Sequence, residues 1–181
     1  MKKLMFILAA VAMAATVQAA SVDWTCTNVF AGNTTDKVSG IAYFVNAETL
    51  SQSTASGFTK ASDWTTALSG MYSWTPETAG KYTAAAPVDN ATLGLSDATA
   101  SQAYLVIFDT ATITDTSHYY MTEVKSFDTY AGTMTQTVTW GTQKSASQAA
   151  GAWTSVNVPE PTSGLLLLVG MAGLALRRKR A

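Results

Sequence analysis

The chain of 181 residues has one cysteine, one histidine and four prolines, and no arginine between its two ends. A single cysteine, Cys26, excludes an internal disulfide, so stability must come from a packed core, in which Cys26 is expected as a small buried hydrophobe. A Ser-His-Asp or Cys-His centre needs a histidine with an orienting partner. The sole histidine, His118, sits in the stretch TDTSHYY, where Asp115 and Ser117 are only sequence neighbours. It is read as a surface-turn residue. One His and one Cys do not make a zinc site, and there is no EF-hand spacing, phosphate loop or dinucleotide fingerprint. A glycosidase needs two carboxylates held several Å apart, and nothing in the sequence pairs Asp109, Asp115, Glu123 or Asp128. The expectation is a protein that is not an enzyme, with no catalytic residue, metal or cofactor.

Basic residues are also scarce where a nucleic-acid binder would need them. Lys2, Lys3, Arg177, Arg178, Lys179 and Arg180 lie at the ends, leaving eleven Asp and Glu against five Lys in residues 20–158, a net charge of −6. An acidic domain of this kind has no electrostatic footprint for nucleic acid.

The two ends carry signals. MKKLMFILAAVAMAATVQAAS combines Lys2 and Lys3, an apolar stretch from Leu4 to Ala15 and a small-residue site, the three parts of a secretory signal. Residues 1–19 are read as that signal helix, cut after Ala19 with Ala20 as the neighbouring alternative; signal peptidase and the general secretion machinery are the implied partners. At the other end Gly164 to Leu176 is uncharged for thirteen residues, about 20 Å as a helix. That is short against a hydrocarbon core of about 30 Å, and long basic side chains reaching the headgroups assist it. Arg177, Arg178, Lys179 and Arg180 orient the span with its C-terminal end in the cytoplasm and residues 20–161 outside. Just outside lies Pro159-Glu160-Pro161, where the prolines fix φ, remove backbone donors and bias Val158 and Glu160 to extended conformations.

A Pro-Glu-Pro motif, a short apolar helix and a basic terminus, on a chain with a secretory signal, resemble the PEP-CTERM sorting signal of exosortase substrates in Gram-negative bacteria that make extracellular polysaccharide. The resemblance covers about the last twenty-three residues, 159–181. It implies recognition of Pro159, Glu160 and Pro161 by a membrane-embedded exosortase, a transient hold at the inner membrane, removal of the tail, and delivery to the cell surface or extracellular matrix. Exopolysaccharide is the further partner considered.

Between the signals, residues 20–144 read as a mainly β domain, a β-sandwich or jelly roll, and 145–158 as a linker. Residues 102–110, QAYLVIFDT, are apolar without alternation from Ala103 to Phe108, as in a strand covered on both faces. Ile41 to Val45 reads as another buried strand. From Thr133, TMTQTVTWG alternates, with Thr133, Thr135, Thr137 and Thr139 toward water and Met134, Gln136, Val138 and Trp140 inward. Tyr119 to Val124 reads as the preceding strand, turning through 128–132. A short helix is expected from Trp64 to Ser69, capped by Ser62 or Asp63, stopped by Gly70 and laying Trp64 and Leu68 on the core. SQSTASG, residues 51–57, and SASQAAGA, residues 145–152, read as loops.

Thr and Ser make up 41 of residues 20–158, without an internal repeat. Three of the five tryptophans, Trp24, Trp64, Trp74, Trp140 and Trp153, are expected in the core. One of Tyr119 and Tyr120 is expected at the surface, because adjacent strand residues face opposite ways. Asn33-Thr34-Thr35 and Asn90-Ala91-Thr92 match the glycosylation acceptor pattern as exposed sequons. The resulting reading is an exported surface or matrix protein with a structural or adhesive role; the alternative is a carbohydrate-binding module, marked by a coplanar row of exposed aromatics on one sheet face.

Overall fold

The computed structural model describes residues 19–30, 36–84, 86–140 and 153–157. Residues 1–18 of the expected signal, Asn33 of the expected sequon, the expected loop 145–152 and the C-terminal residues from Val158 lie outside the described residues. Among the described residues no helix is long and apolar enough to cross a membrane; the expected span 164–176 is not among them.

The fold is mainly β, with two unclosed sheets. The first is centred on β1 (Ser21–Thr27), which pairs antiparallel with β4 (Lys81–Thr83) and β5 (Val88–Asp89), and parallel with β9 (Thr135–Trp140). The second is centred on β6 (Ala100–Phe108), which pairs antiparallel with β2 (Ala42–Asn46), with β7 (His118–Met121) along Val106–Phe108, and with β8 (Lys125–Asp128) along Ala100–Ala103. Two short strands extend this sheet: β3 (Ser73–Trp74) on β2 and β10 (Thr154–Ser155) on β7.

The pattern of β6 follows from its position. Ala103, Leu105 and Ile107 face the first sheet and share one core with Val22, Trp24, Cys26, Val138 and Trp140. Tyr104, Val106 and Phe108 face the other way, into a second cluster closed by Trp64, Leu68, Ile113, Tyr119 and Val156. A strand with no solvated face has no reason to alternate. β1 is wetted on one side, and it alternates: Val22, Trp24 and Cys26 are buried while Asp23, Thr25 and Thr27 are half-buried. Aromatic edges fill the space between the sheets, with Trp24 against Phe44 at 6.3 Å and Phe44 against Trp140 at 5.9 Å between ring centroids.

The helix expected at 64–69 is α2 (Ala61–Ala67), and it does bury Trp64 and Leu68. Its start differs from expectation. Neither Ser62 nor Asp63 caps it; Asp115 reaches from the loop after β6 and accepts the Ala61 N–H at 2.8 Å, a tertiary substitute for a local cap. Gly70 follows at φ +78°, the left-handed conformation that a glycine reaches without steric cost. The segment 51–57 is not a loop throughout: Gln52–Ala55 form α1, whose Ser51 hydroxyl accepts the Thr54 N–H and whose Gln52 amide donates to the Thr122 carbonyl at 2.5 Å.

β9 confirms the outward threonines at 135, 137 and 139 and the inward Val138 and Trp140. Met134 does not turn inward. It precedes the strand, is 57% exposed, and its carbonyl accepts the Ser21 N–H. The turn expected at 128–132 does not join a strand at 119–124 to β9, because β8 intervenes. Residues 119–124 split between β7 and a connection, and β9 leaves for the other sheet, where β1 offers it six residues of parallel pairing.

Candidate functional site

The sorting motif is joined to the domain through its last described residues. Trp153 is half-buried, its indole N–H donates to the Phe30 carbonyl at 2.7 Å, and its ring packs on Tyr120 at 6.0 Å. Thr154 and Ser155 lie opposite Tyr119 and His118 on β7. Val156 is fully buried, and its N–H donates to the Ser117 carbonyl at 2.9 Å. Asn157 is exposed. Within the segment read as linker, then, residues 153–156 pack on the domain.

Burying one valine contributes about 1.5–3 kcal/mol, and each hydrogen bond about 1 kcal/mol. β10 is therefore held, at the edge of a sheet, by a few interactions rather than by a strand's full ladder. Ser117, which receives Val156, is fixed in turn: its hydroxyl lies 2.6 Å from that of Thr110 and accepts the Thr114 N–H at 3.0 Å. Beside it Asp109 accepts the His118 backbone N–H at 2.8 Å and stands 3.1 Å from the imidazole Nδ1, with both side chains accessible.

The domain has two distinct ends. Phe108, Ser117 and Val156 mark one. Ala20, Ser21, Asn90, Tyr130 and Met134 mark the other: Asn90 N–H donates to the Ala20 carbonyl, and its side-chain amide donates to Asp97 at 2.7 Å and to the Tyr130 carbonyl. The length of β6 separates them, about 26 Å at 3.3 Å per residue. Of the predicted signal-cleavage pair, Ala19 is exposed and Ala20 is 1% exposed at this far end. Pro159, Glu160, Pro161, Arg177, Arg178, Lys179 and Arg180 lie outside the described residues, following Asn157 at the near end.

Other sequence candidates are dispersed. Glu123 pairs with Lys125 at 2.6 Å, Asp115 holds the start of α2, and Asp128 is exposed on β8. His118 opens β7 rather than sitting within a turn, and it meets Asp109 instead of Asp115. Trp24, Trp64 and Trp140 are buried, while Trp74 and Trp153 are half-buried. Neither member of the tyrosine pair is fully exposed: Tyr119 is buried against Trp64 of α2, and Tyr120 is half-buried against Trp153, which covers the face that alternation would otherwise leave open. The large exposed hydrophobics among the described residues are Val124, Tyr130 and Met134, so no coplanar row of exposed aromatics is found there. Asn90 is 1% exposed, which removes it as a surface sequon. Cys26 is buried, and burial pushes its thiol up to about 12.

One neutral cleft of about 310 Å³ lies at the far end, between β2, the turn after α2 and residues 91–94; Asn46, Thr49, Met71, Tyr72, Thr92 and Leu93 are among its walls. It has room and mixed polarity to hold a small uncharged group by contact, and no ionised side chain lines it.

No curated protein and no solved structure matches this chain. The sequence that leaves the near end of the domain matches a family model over residues 157–180. The chain therefore carries a PEP-CTERM protein-sorting motif, which implies an exported, membrane- or cell-surface-associated protein processed by an exosortase.

Proposed function

We propose that this is an exported bacterial cell-surface or extracellular-matrix protein whose acidic β domain has a structural or adhesive role and no enzymatic activity. After signal removal the domain stands outside the inner membrane, held by the short apolar segment with Arg177 to Arg180 inside. An exosortase then acts at Pro159–Pro161, the tail is removed, and the domain is delivered to the cell surface or matrix. The observation that carries the reading is the position of the motif: its match begins at Asn157, immediately after the last buried residue of the domain. A tail placed there is removable without cutting into the fold. The domain's many exposed Thr and Ser hydroxyls and its negative charge serve solubility and contact with hydrated polymer.

The test is the intact mass of the protein from producing cells, compared with Glu160→Ala and with cells lacking the exosortase. The expected result is loss of the tail in the wild type alone. Full-length mass in all three would leave an ordinary membrane-anchored domain.

A further inference from the structure

The folded domain and the sorting motif meet without a spacer. Val156 is buried and bonded to Ser117, the motif begins at Asn157, and only Asn157 and Val158 precede Pro159. At 3.3–3.6 Å per residue, Pro159 is within about 11 Å of Val156. Only two residues of chain thus separate the last buried residue of the domain from the segment to be cut. An enzyme that grips an extended segment needs backbone on both sides of the bond it breaks, and on the N-terminal side the backbone of β10 is already paired with β7. Undocking Trp153 to Val156 would release four more residues, about 13 Å of reach. A two-residue edge strand held by its short pairing with β7, the Val156–Ser117 bond, a Tyr119–Thr154 hydrogen bond, one indole hydrogen bond, one ring contact and one buried valine is the kind of element that opens without global unfolding.

We propose that Trp153 and Val156 are positioning residues for exosortase processing: docked, they leave only Asn157 and Val158 between the folded domain and the Pro-Glu-Pro motif, and the undocking of β10 admits the enzyme. The rate of trimming then scales with the fraction of molecules in which β10 is open. This inference rests on the exosortase reading above.

The test is a pulse-chase of the full chain in producing cells, following tail-bearing and trimmed forms by intact mass. Ser155 and His118 face each other as a non-hydrogen-bonded pair beside the Val156–Ser117 bond, so their Cα atoms are about 4.5 Å apart, a separation that a disulfide spans. Ser155→Cys with His118→Cys locks β10 on the oxidising outer side of the membrane. Trimming of the locked protein is expected to slow about tenfold or more and to recover on adding a membrane-impermeant reductant; His118→Ser alone serves as the control for loss of the imidazole. Trp153→Phe, which keeps the ring and loses the hydrogen bond, is expected to speed trimming. Locked protein trimmed at the wild-type rate overturns the inference while leaving exosortase processing intact. Wild type that retains its tail, like Glu160→Ala, removes the processing reading and this inference with it.

Discussion

The Trp153 indole N–H donates to the Phe30 carbonyl at 2.7 Å, tying the last strand of the domain to the segment just after its first, 123 positions earlier in the chain. Trp153→Phe is expected to cost about 1 kcal/mol and to act locally. Hydrogen exchange at the Val156 amide should quicken about fivefold, while amides of β6 keep their protection. Equal acceleration in both places would mean that β10 does not open independently.

Gly40 is the most closely approached of the described glycines. A Cβ there would run into the Phe108 carbonyl oxygen and lie 2.6 Å from the Thr110 nitrogen, all of them backbone atoms of the connection that carries Asp109. Gly40→Ala is expected to cost about 3 kcal/mol or more, read as a shift of the urea midpoint. An unchanged midpoint would show that the 109–117 connection yields easily.

Burial pushes the Cys26 thiol from 9.0 to about 12 and raises Tyr82 and Tyr104 as well. In the unfolded chain these groups ionise first, so the folded state loses stability as pH climbs from about 9 through 12. The thiol alone contributes a slope of at most about 1.4 kcal/mol per pH unit in that window. Cys26→Ala should flatten this part of the stability profile, and the wild-type thiol should resist alkylation at pH 8 until urea unfolds the domain. Rapid alkylation of native protein would contradict the burial.

Ala20 is buried and its carbonyl accepts the Asn90 N–H at 2.9 Å. A mature chain starting at Ala20 keeps this bond, and one starting at Ser21 loses it together with a buried methyl. The shorter form is expected to be about 1–2 kcal/mol less stable by thermal melting, and N-terminal mass of the exported protein should show cleavage after Ala19.

Filling the far-end cleft from its exposed rim tests whether it contributes to stability. Thr92→Trp is expected to change the melting temperature by no more than about 2 °C, because Thr92 is exposed and makes no structural hydrogen bond found among the described residues. A large loss would show that the 91–94 turn is part of the core rather than a rim.

How much was legible depended on whether the controlling interaction was local. The unbroken run from Ala103 to Phe108 could be read as a doubly covered strand, because covering both faces leaves a mark on every residue. The threonines of β9 were legible through their period of two. β1 carries the same kind of alternation in Val22, Trp24 and Cys26. The cap of α2 was beyond reach, since it is Asp115, 54 positions away from Ala61.

The sequence by itself determined the destination of the protein. The sorting motif is a linear signal, read by residue type and spacing, and it implies export and processing. Only the tertiary structure decided how that signal is presented. Residues 153–156 look like linker, because two residues of edge pairing and one buried valine leave no periodic trace. Their partners, Phe30, Ser117 and Tyr120, come from three distant stretches, and only the folded chain brings them to the place where the motif begins.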